Sequence, residues 1–456
     1  MLSNPYLKTL LDLNVEEADS LFIIYAEQPT KRFSYTCGFI FNHFLKSNYK
    51  ITSDVLEFKT SKHFKINYSH QKIEGAFQLI PQGLLNEIAI TPIKPIPSFK
   101  NEMIYFYENN IENVFSYDVF SAVFYFISRY EEWQDFKPDV HGRFEADASL
   151  LFQNKFHLKP VVDSWITELT ESLKDFYPTL NLPAKTFKII STIDVDNLYA
   201  YRAKGLIRTI GAGIKDMLKL DFKNLKERIL VISGRKKDPF DIYEDVSNFC
   251  FESKIPLIYF FLFRTGTKYD RTVNPETSCY QSVFQSLKKN YALIGLHPSY
   301  HSSVNKDLLI SEKNKLTEKV EEKITLSRQH YLRFNIRTTP KQLIENGFDT
   351  DFTMGFASSP GFRAGTSHPF YYYDFEVEQS NSKLLFVPFC MMDGVYTVYK
   401  NTSAEAAYTE MLTIAKEIKK VKGLFISVFH ERTFFDHLYK GYGTLYKNLH
   451  LKLKEL

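Results

Sequence analysis

The chain has 456 residues, enough for two or three domains, and 44% hydrophobic with 24% charged residues is the mix of a globular protein with a sizeable core. The formal net charge of +4 is small for that length, and Lys and Arg are scattered among acids over the chain, so nothing calls for a nucleic-acid partner. Cys37, Cys250, Cys279 and Cys390 stand far apart without CxxC spacing, which argues against a zinc ribbon or a disulfide scaffold and fits a reducing compartment.

Residues 1–14 lack a basic start followed by an apolar core, and no later run approaches the ~18 apolar residues of a membrane span. The expectation is a soluble, cytoplasmic protein with no integral membrane segment. Short β-branched and aromatic runs follow at residues 22–25, 64–68 and 103–106, separated by polar turns. Ser116 can cap a helix whose apolar positions, Val119 to Tyr130, form a wide buried face. That helix ends in Ser128-Arg129-Tyr130-Glu131-Glu132-Trp133, and Asp139-Val140-His141-Gly142-Arg143-Phe144 comes next. The favoured reading of these clusters is an Arg–Glu network tying the helix to a loop. A second amphipathic helix over 161–176 stops before Pro178. Residues 1–183 are therefore expected to be an accessory α+β domain.

From Thr186 onward strands alternate with helices. Candidate strands are 187–193, 255–263, 292–296, 331–334, 352–356, 384–389 and 424–429. Helical stretches lie between them, among them 308–329 and 403–420, the latter with Thr402 as cap and Glu405 three residues on. This alternation predicts an α/β fold with a parallel sheet, open or closed into a distorted barrel, over residues 184–456. In such folds functional groups sit just after the strands.

The residues at those positions form a set. Asp194 and Asp196 follow the first strand in Ser191-Thr192-Ile193-Asp194-Val195-Asp196-Asn197, His297-Pro298-Ser299-Tyr300-His301 follows the third, and His430-Glu431-Arg432 follows the last. Two acids one residue apart fit a metal site, a proton-transfer role, or a capped loop. Histidines at i and i+4 on one helical turn, with one carboxylate, make the three protein ligands of an open hydrolytic metal site.

The series Thr192-Ile193-Asp194-Val195-Asp196, Gly295-Leu296-His297-Pro298-Ser299-Tyr300-His301, Arg328 to Arg333, Gly361-Phe362-Arg363-Ala364-Gly365-Thr366 and Phe429-His430 resembles polysaccharide deacetylases of the NodB-homology type, also called carbohydrate esterase family 4. The likeness spans roughly residues 186–456 and looks closest to a divergent branch with an amino-terminal companion domain. Better-known members have adjacent acids and a His-Ser/Thr-x-x-His pair. Here Val195 separates the acids and Pro298 replaces the Ser or Thr. Since i and i+2 on a strand share a face, Asp194 and Asp196 can point the same way, which leaves their division of labour open.

The resemblance implies Asp194 as general base, Asp196, His297 and His301 as ligands of a divalent metal, and His430 as general acid. Zinc suits a two-His, one-carboxylate set. Arg333 and Arg363 are the expected supporting groups, either beside a catalytic carboxylate or in structural salt bridges, and Asp393 follows the strand at 384–389. The implied activity is metal-dependent N-deacetylation of an amino sugar, with a surface-glycan precursor as carbohydrate substrate. The alternative is a degenerate relative that binds carbohydrate or scaffolds a partner without turnover.

Overall fold

The β-branched and aromatic runs of the first half pair side by side. β1 (Phe22–Ala26), β2 (Tyr49–Thr52), β3 (Phe64–Tyr68) and β4 (Phe77–Leu79) form a sheet of order β2-β1-β3-β4 in which every neighbour is parallel. Parallel neighbours need crossovers. Helix Lys31–Cys37, continued by the wider turns of Gly38–Phe44, supplies the first, and helix Val55–Thr60 the second. Thr30 and Asp54 cap these helices by accepting from Phe33 N–H and from Leu56 and Glu57 N–H. β5 (Ser98–Lys100) and β6 (Met103–Tyr105) make a small antiparallel pair.

The computed structural model describes residues 4–11, 13, 21–109, 111 and 115–456, so the stretch 1–14 lies only in part within it. Among the described residues no helix is long and apolar enough to cross a membrane.

Helix Val119–Ile127 is buried at every position. Its cap is Asp118 rather than Ser116: the carboxylate accepts from Ser121 N–H and also holds the Tyr68 hydroxyl and Gln82 N–H, partners that a serine two residues earlier does not reach. Helix Val161–Phe176 runs as its periodicity predicts.

The second half supplies β7 (Lys188–Val195), β8 (Leu257–Leu262), β9 (Leu293–His297), β10 (Leu326–Ser327), β11 (Thr350–Asp351), β12 (Phe370–Asp374), β13 (Gln379–Phe386), β14 (Met391–Met392) and β15 (Leu424–His430). They form one nine-stranded sheet of order β12-β13-β11-β10-β9-β8-β7-β15-β14, parallel throughout except for the β12–β13 hairpin. The two end strands do not pair with each other, so the sheet is a curled half-barrel, the distorted α/β form expected. Gly295 in β9 is required by packing, since a Cβ there would stand 2.6 Å from the Phe260 ring.

Four local expectations differ from what is observed. The helix expected over 308–329 is Lys306–Val320, capped by Asn305 and ended by Glu321 in the left-handed region. The strand expected at 331–334 is a tight turn with Tyr331 and Leu332 at positive φ, and the sheet's β10 lies just before it. The strand expected at 352–356 is shifted back to β11, whose ladder with β10 closes on the Phe352 N–H donated to Ser327 O. The helix Ala404–Lys420 is capped by Ser403, which accepts from Ala406 N–H, instead of by Thr402.

One hydrophobic core runs through both sheets. The first half seats on the β12–β13 hairpin: Arg32 pairs with Glu378 at 2.6 Å, and the Tyr35 hydroxyl donates to Tyr371 O at 2.7 Å.

Candidate metal and acid–base site

Because β7, β8, β9 and β15 are parallel neighbours, their carboxyl ends share one edge. The register sets Asp194 directly opposite His430 across the β7–β15 pair, and His297 opposite Leu262 at the end of β9. Val195 is buried in the core while Asp194 and Asp196 both face His297 Nε2, at 3.9 Å and 3.4 Å. The intervening valine therefore keeps the two acids on one side, as strand alternation requires.

Asp196, His297 and His330 bring three donor atoms within 4.8 Å of one another. Asp196 Oδ1 lies 3.4 Å from His297 Nε2 and 3.5 Å from His330 Nε2, and this oxygen is buried with no hydrogen-bond partner. An orphaned buried carboxylate oxygen facing two imidazole nitrogens is costly unless something cationic sits between them. The far nitrogens are already engaged: His297 Nδ1 meets the Arg328 carbonyl, and His330 Nδ1 meets Asp270 Oδ1 at 3.0 Å. Imidazoles held this way by carbonyl and carboxylate turn Nε2 inward as metal-ligating histidines do. Burial holds His330 below the usual imidazole value against the pull of Asp196 and Asp270, so its neutral, ligating form prevails. The three residues fit a divalent cation.

The remaining groups around this point are charged in opposite senses. Burial alone would raise the Asp196 carboxyl, yet Arg432, His330 and His430 bring it well below the usual carboxylate range. Arg432 holds its second oxygen. Glu431 goes the other way: burial and then the Asp196 charge push it up to about 8, and it accepts from Asp196 N–H at 3.0 Å. Asp194 pairs with Arg328, whose Nη1 donates at 2.7 Å to Asp194 Oδ1 and to Thr192 Oγ1. His430 is oriented by Asp393, which accepts from its Nδ1 at 2.6 Å and from its backbone N–H at 2.7 Å. Burial would lower the imidazole, but the Asp393 carboxylate lifts it to about 9.

Asp194, Asp196, His297, His330, His430 and Arg432 line a cavity of about 410 Å³, within the range of small-molecule sites, with Tyr269, Tyr331 and Tyr399 as aromatic walls. Arg143 also lines it. The His-Gly-Arg-Phe segment thus reaches the cavity from the first half of the chain: Arg143 donates to Tyr331 O at 2.8 Å while Asp139 and Glu145 hold its other face.

Residues 22–178 match the model of a family described only as a family of unknown function, DUF7033. No curated protein matches the chain. Solved structures do. A putative polysaccharide deacetylase from Mycobacterium smegmatis is 15% identical, with 60% of this chain and 86% of that one covered and a TM-score of 0.39. A CE4 family pseudoenzyme from Bacillus anthracis is 8% identical over 59% of this chain and 61% of its own length, TM-score 0.29. A mutant CE4 family pseudoenzyme with restored enzymatic activity gives 8% identity, 59% and 63% coverage and a TM-score of 0.27.

The expected site residues divide into two groups. Asp194, Asp196, His297 and His430 meet at the cavity, and Asp393 stands buried behind His430. His301 does not: it is exposed, with its ring against Tyr269 and Tyr300. After Pro298 the chain turns instead of coiling, pinned by Glu312 on Ser299 N–H and Asp270 on Tyr300 N–H, so spacing i and i+4 no longer means one face. His330 stands where His301 was expected. It follows the two-residue strand β10, and inspection of strand ends would have found it had that strand not been absorbed into the helix expected over 308–329.

The arginines differ as well. Arg363 is buried and forms a bidentate pair with Glu132 at 2.8 and 2.6 Å, and Glu132 also takes Arg129 Nε at 2.8 Å. This joins the two halves of the chain away from the cavity. Arg333 donates to His141 O and Tyr300 O and stacks on the Tyr300 ring. The arginine beside the acid is Arg328.

Proposed function

We propose that this chain is a metal-dependent hydrolase that removes N-acetyl groups from an amino sugar, on a precursor of a surface glycan. The observation that carries the reading is the convergence on one cavity of three separately built parts: the Asp196–His297–His330 ligand set, Asp194 held by Arg328, and His430 held by Asp393.

Asp196, His297 and His330 would hold the ion, and zinc suits two imidazoles and one carboxylate. A divalent ion held there would supply Lewis acidity, acidifying water and polarising an acyl oxygen. The chain's own residues do the rest. Asp194 takes a proton from the attacking water, and Arg328, with two hydrogen bonds fixing its Nη1, keeps the carboxylate aimed. His430, charged at neutral pH because of Asp393, gives a proton to the leaving amine as the C–N bond breaks. Acid and base stand on adjacent strands at the same register level, so one small acyl group reaches both. The tyrosine walls suit the apolar faces of a sugar ring.

The test measures metal content and acetate release from small N-acetylated sugars, including nucleotide-linked ones, with the purified chain in zinc. Acetate release that Asp194→Asn lowers while metal stays bound supports the assignment. A chain that binds glycans, holds no metal and releases no acetate refutes it.

A further inference from the structure

Between β7 and β8 the chain leaves the sheet and returns through two helices, Leu206–Leu218 and Phe222–Ile232, packed as a hairpin. The hairpin's root is fixed. Asp238 accepts from the N–H groups of Ala200, Tyr201 and Arg202, and Arg228 pairs with Asp216 at 2.8 Å while stacking on Tyr201. Its outer surface is apolar. Leu206, Ile207, Ile210, Ile214, Met217 and Leu218 all face solvent, Ile207 at 89% and Leu218 at 81% exposure. At ~100° per residue they fall within an arc of roughly 120°, the stripe of an amphipathic helix with nothing packed on it. Phe222, Ile229 and Ile232 add an exposed stripe on the second helix. Soluble chains rarely expose contiguous apolar area of this kind without a partner.

The charge of the same segment identifies the partner's chemistry. Residues 206–237 hold nine Lys and Arg against three Asp and Glu, a net of +6, which exceeds the +4 of the entire chain and leaves the remainder net negative. Lys215, Lys219, Lys223 and Lys226 are exposed and have no carboxylate partner among the described residues. An apolar stripe bordered by lysines is the pattern of a helix lying in the interface of an anionic bilayer, apolar face down and ammonium groups reaching the headgroups. A second copy fits worse, because a symmetric contact through this face would set +6 against +6.

We propose that the hairpin docks this protein on an anionic phospholipid surface. The hairpin is also tied to the cavity wall. Arg208 donates to the carbonyls of Arg271 and Thr272, and Lys204 bonds Asn197, with Arg271 and Asn197 both lining the cavity. Docking would therefore bring the cavity wall near the membrane. If the deacetylase reading is right, which this extension rests on, the amino sugar is carried on a lipid.

The experiment sediments the full chain with phosphatidylcholine vesicles, with and without phosphatidylglycerol, beside two triple variants: Ile207→Gln, Ile210→Gln, Ile214→Gln, and Lys219→Gln, Lys223→Gln, Lys226→Gln. All six positions are exposed, and unchanged melting curves verify the fold. The parent is expected to pellet only with phosphatidylglycerol present and to be released by salt, and each variant to lower partitioning about tenfold or more. Acetate release from a soluble sugar should be unaffected. A parent that stays in solution with both vesicle types overturns the proposal, as does an apolar variant that pellets like the parent. So does a concentration-dependent oligomer of the parent that the apolar variant abolishes. Acetate release without vesicle binding removes the docking and leaves the hydrolase; vesicle binding without acetate release does the reverse.

Discussion

Replacing His330 by alanine separates the observed ligand set from the one expected from spacing. His330 Nε2 is one of three donor atoms around a single point, 3.5 Å from Asp196 Oδ1, and its ring is held by Asp270 at 3.0 Å. Removing an orienting partner of a ligating histidine commonly weakens metal binding ~10- to 100-fold, so Asp270→Asn should fall in that range. Removing the donor itself should exceed it, at least ~100-fold, or about 2.7 kcal/mol of binding free energy. His301 is exposed, with its ring against Tyr269 and Tyr300 and outside the ligand set, so His301→Ala should leave metal content unchanged. The order of loss is His330→Ala, then Asp270→Asn, then His301→Ala with none.

The assay is competitive zinc titration with a chromophoric chelator, backed by thermal melts with and without metal. Since a ligand that binds only the folded state stabilises in proportion to the logarithm of its affinity, the zinc-dependent rise in melting temperature should shrink in the same order. Melts in excess chelator control for fold damage. Loss of metal in His301→Ala with full binding in His330→Ala would refute the geometric assignment.

Other outcomes follow from the same structure. Asp194→Asn and His430→Ala should each slow the chemical step ~10²- to 10⁴-fold with little change in KM, read from steady-state acetate release. Glu132→Gln should lower stability by about 3–5 kcal/mol in urea melts, because it takes the paired carboxylate from buried Arg363 and one of two from Arg129, whereas Arg333→Ala should cost far less. Asp163 is buried, and although burial raises its carboxyl, His368 and the Ser367 and Thr366 groups outweigh this and hold it below 3.8. A depressed carboxyl stabilises fully above its unfolded value, so this contribution should vanish as pH falls from about 4 through the folded value. Asp163→Asn should be less stable than the parent at neutral pH, and that gap should close in acid.

How much of this was legible in the sequence depends on what each residue's position relies on. Asp194, His297 and His430 end long apolar strands, and strand length and polarity alone put them at one edge. Asp393 was reached from the apolar run at 384–389, although the strand it directly follows is the two-residue β14 beside β15. His330 and Arg328 were harder, since β10 has only two residues and its Lys- and Glu-rich approach continues the helical pattern before it. Short strands owe their existence to neighbours in the sheet, here Leu296 and Asp351, and neighbours distant in sequence leave no local period. Arg363 misled for the converse reason. Its small-residue loop resembles a ligand loop, but Gly361 is there because a Cβ would stand 2.4 Å from the His157 carbonyl. The loop is close-packed against the first half, and the charge it needs is Glu132, 231 residues away. The basic hairpin escaped notice because a net charge averaged over 456 residues conceals a local +6. Once the fold shows residues 206–237 as one projecting unit, the same lysines become a surface.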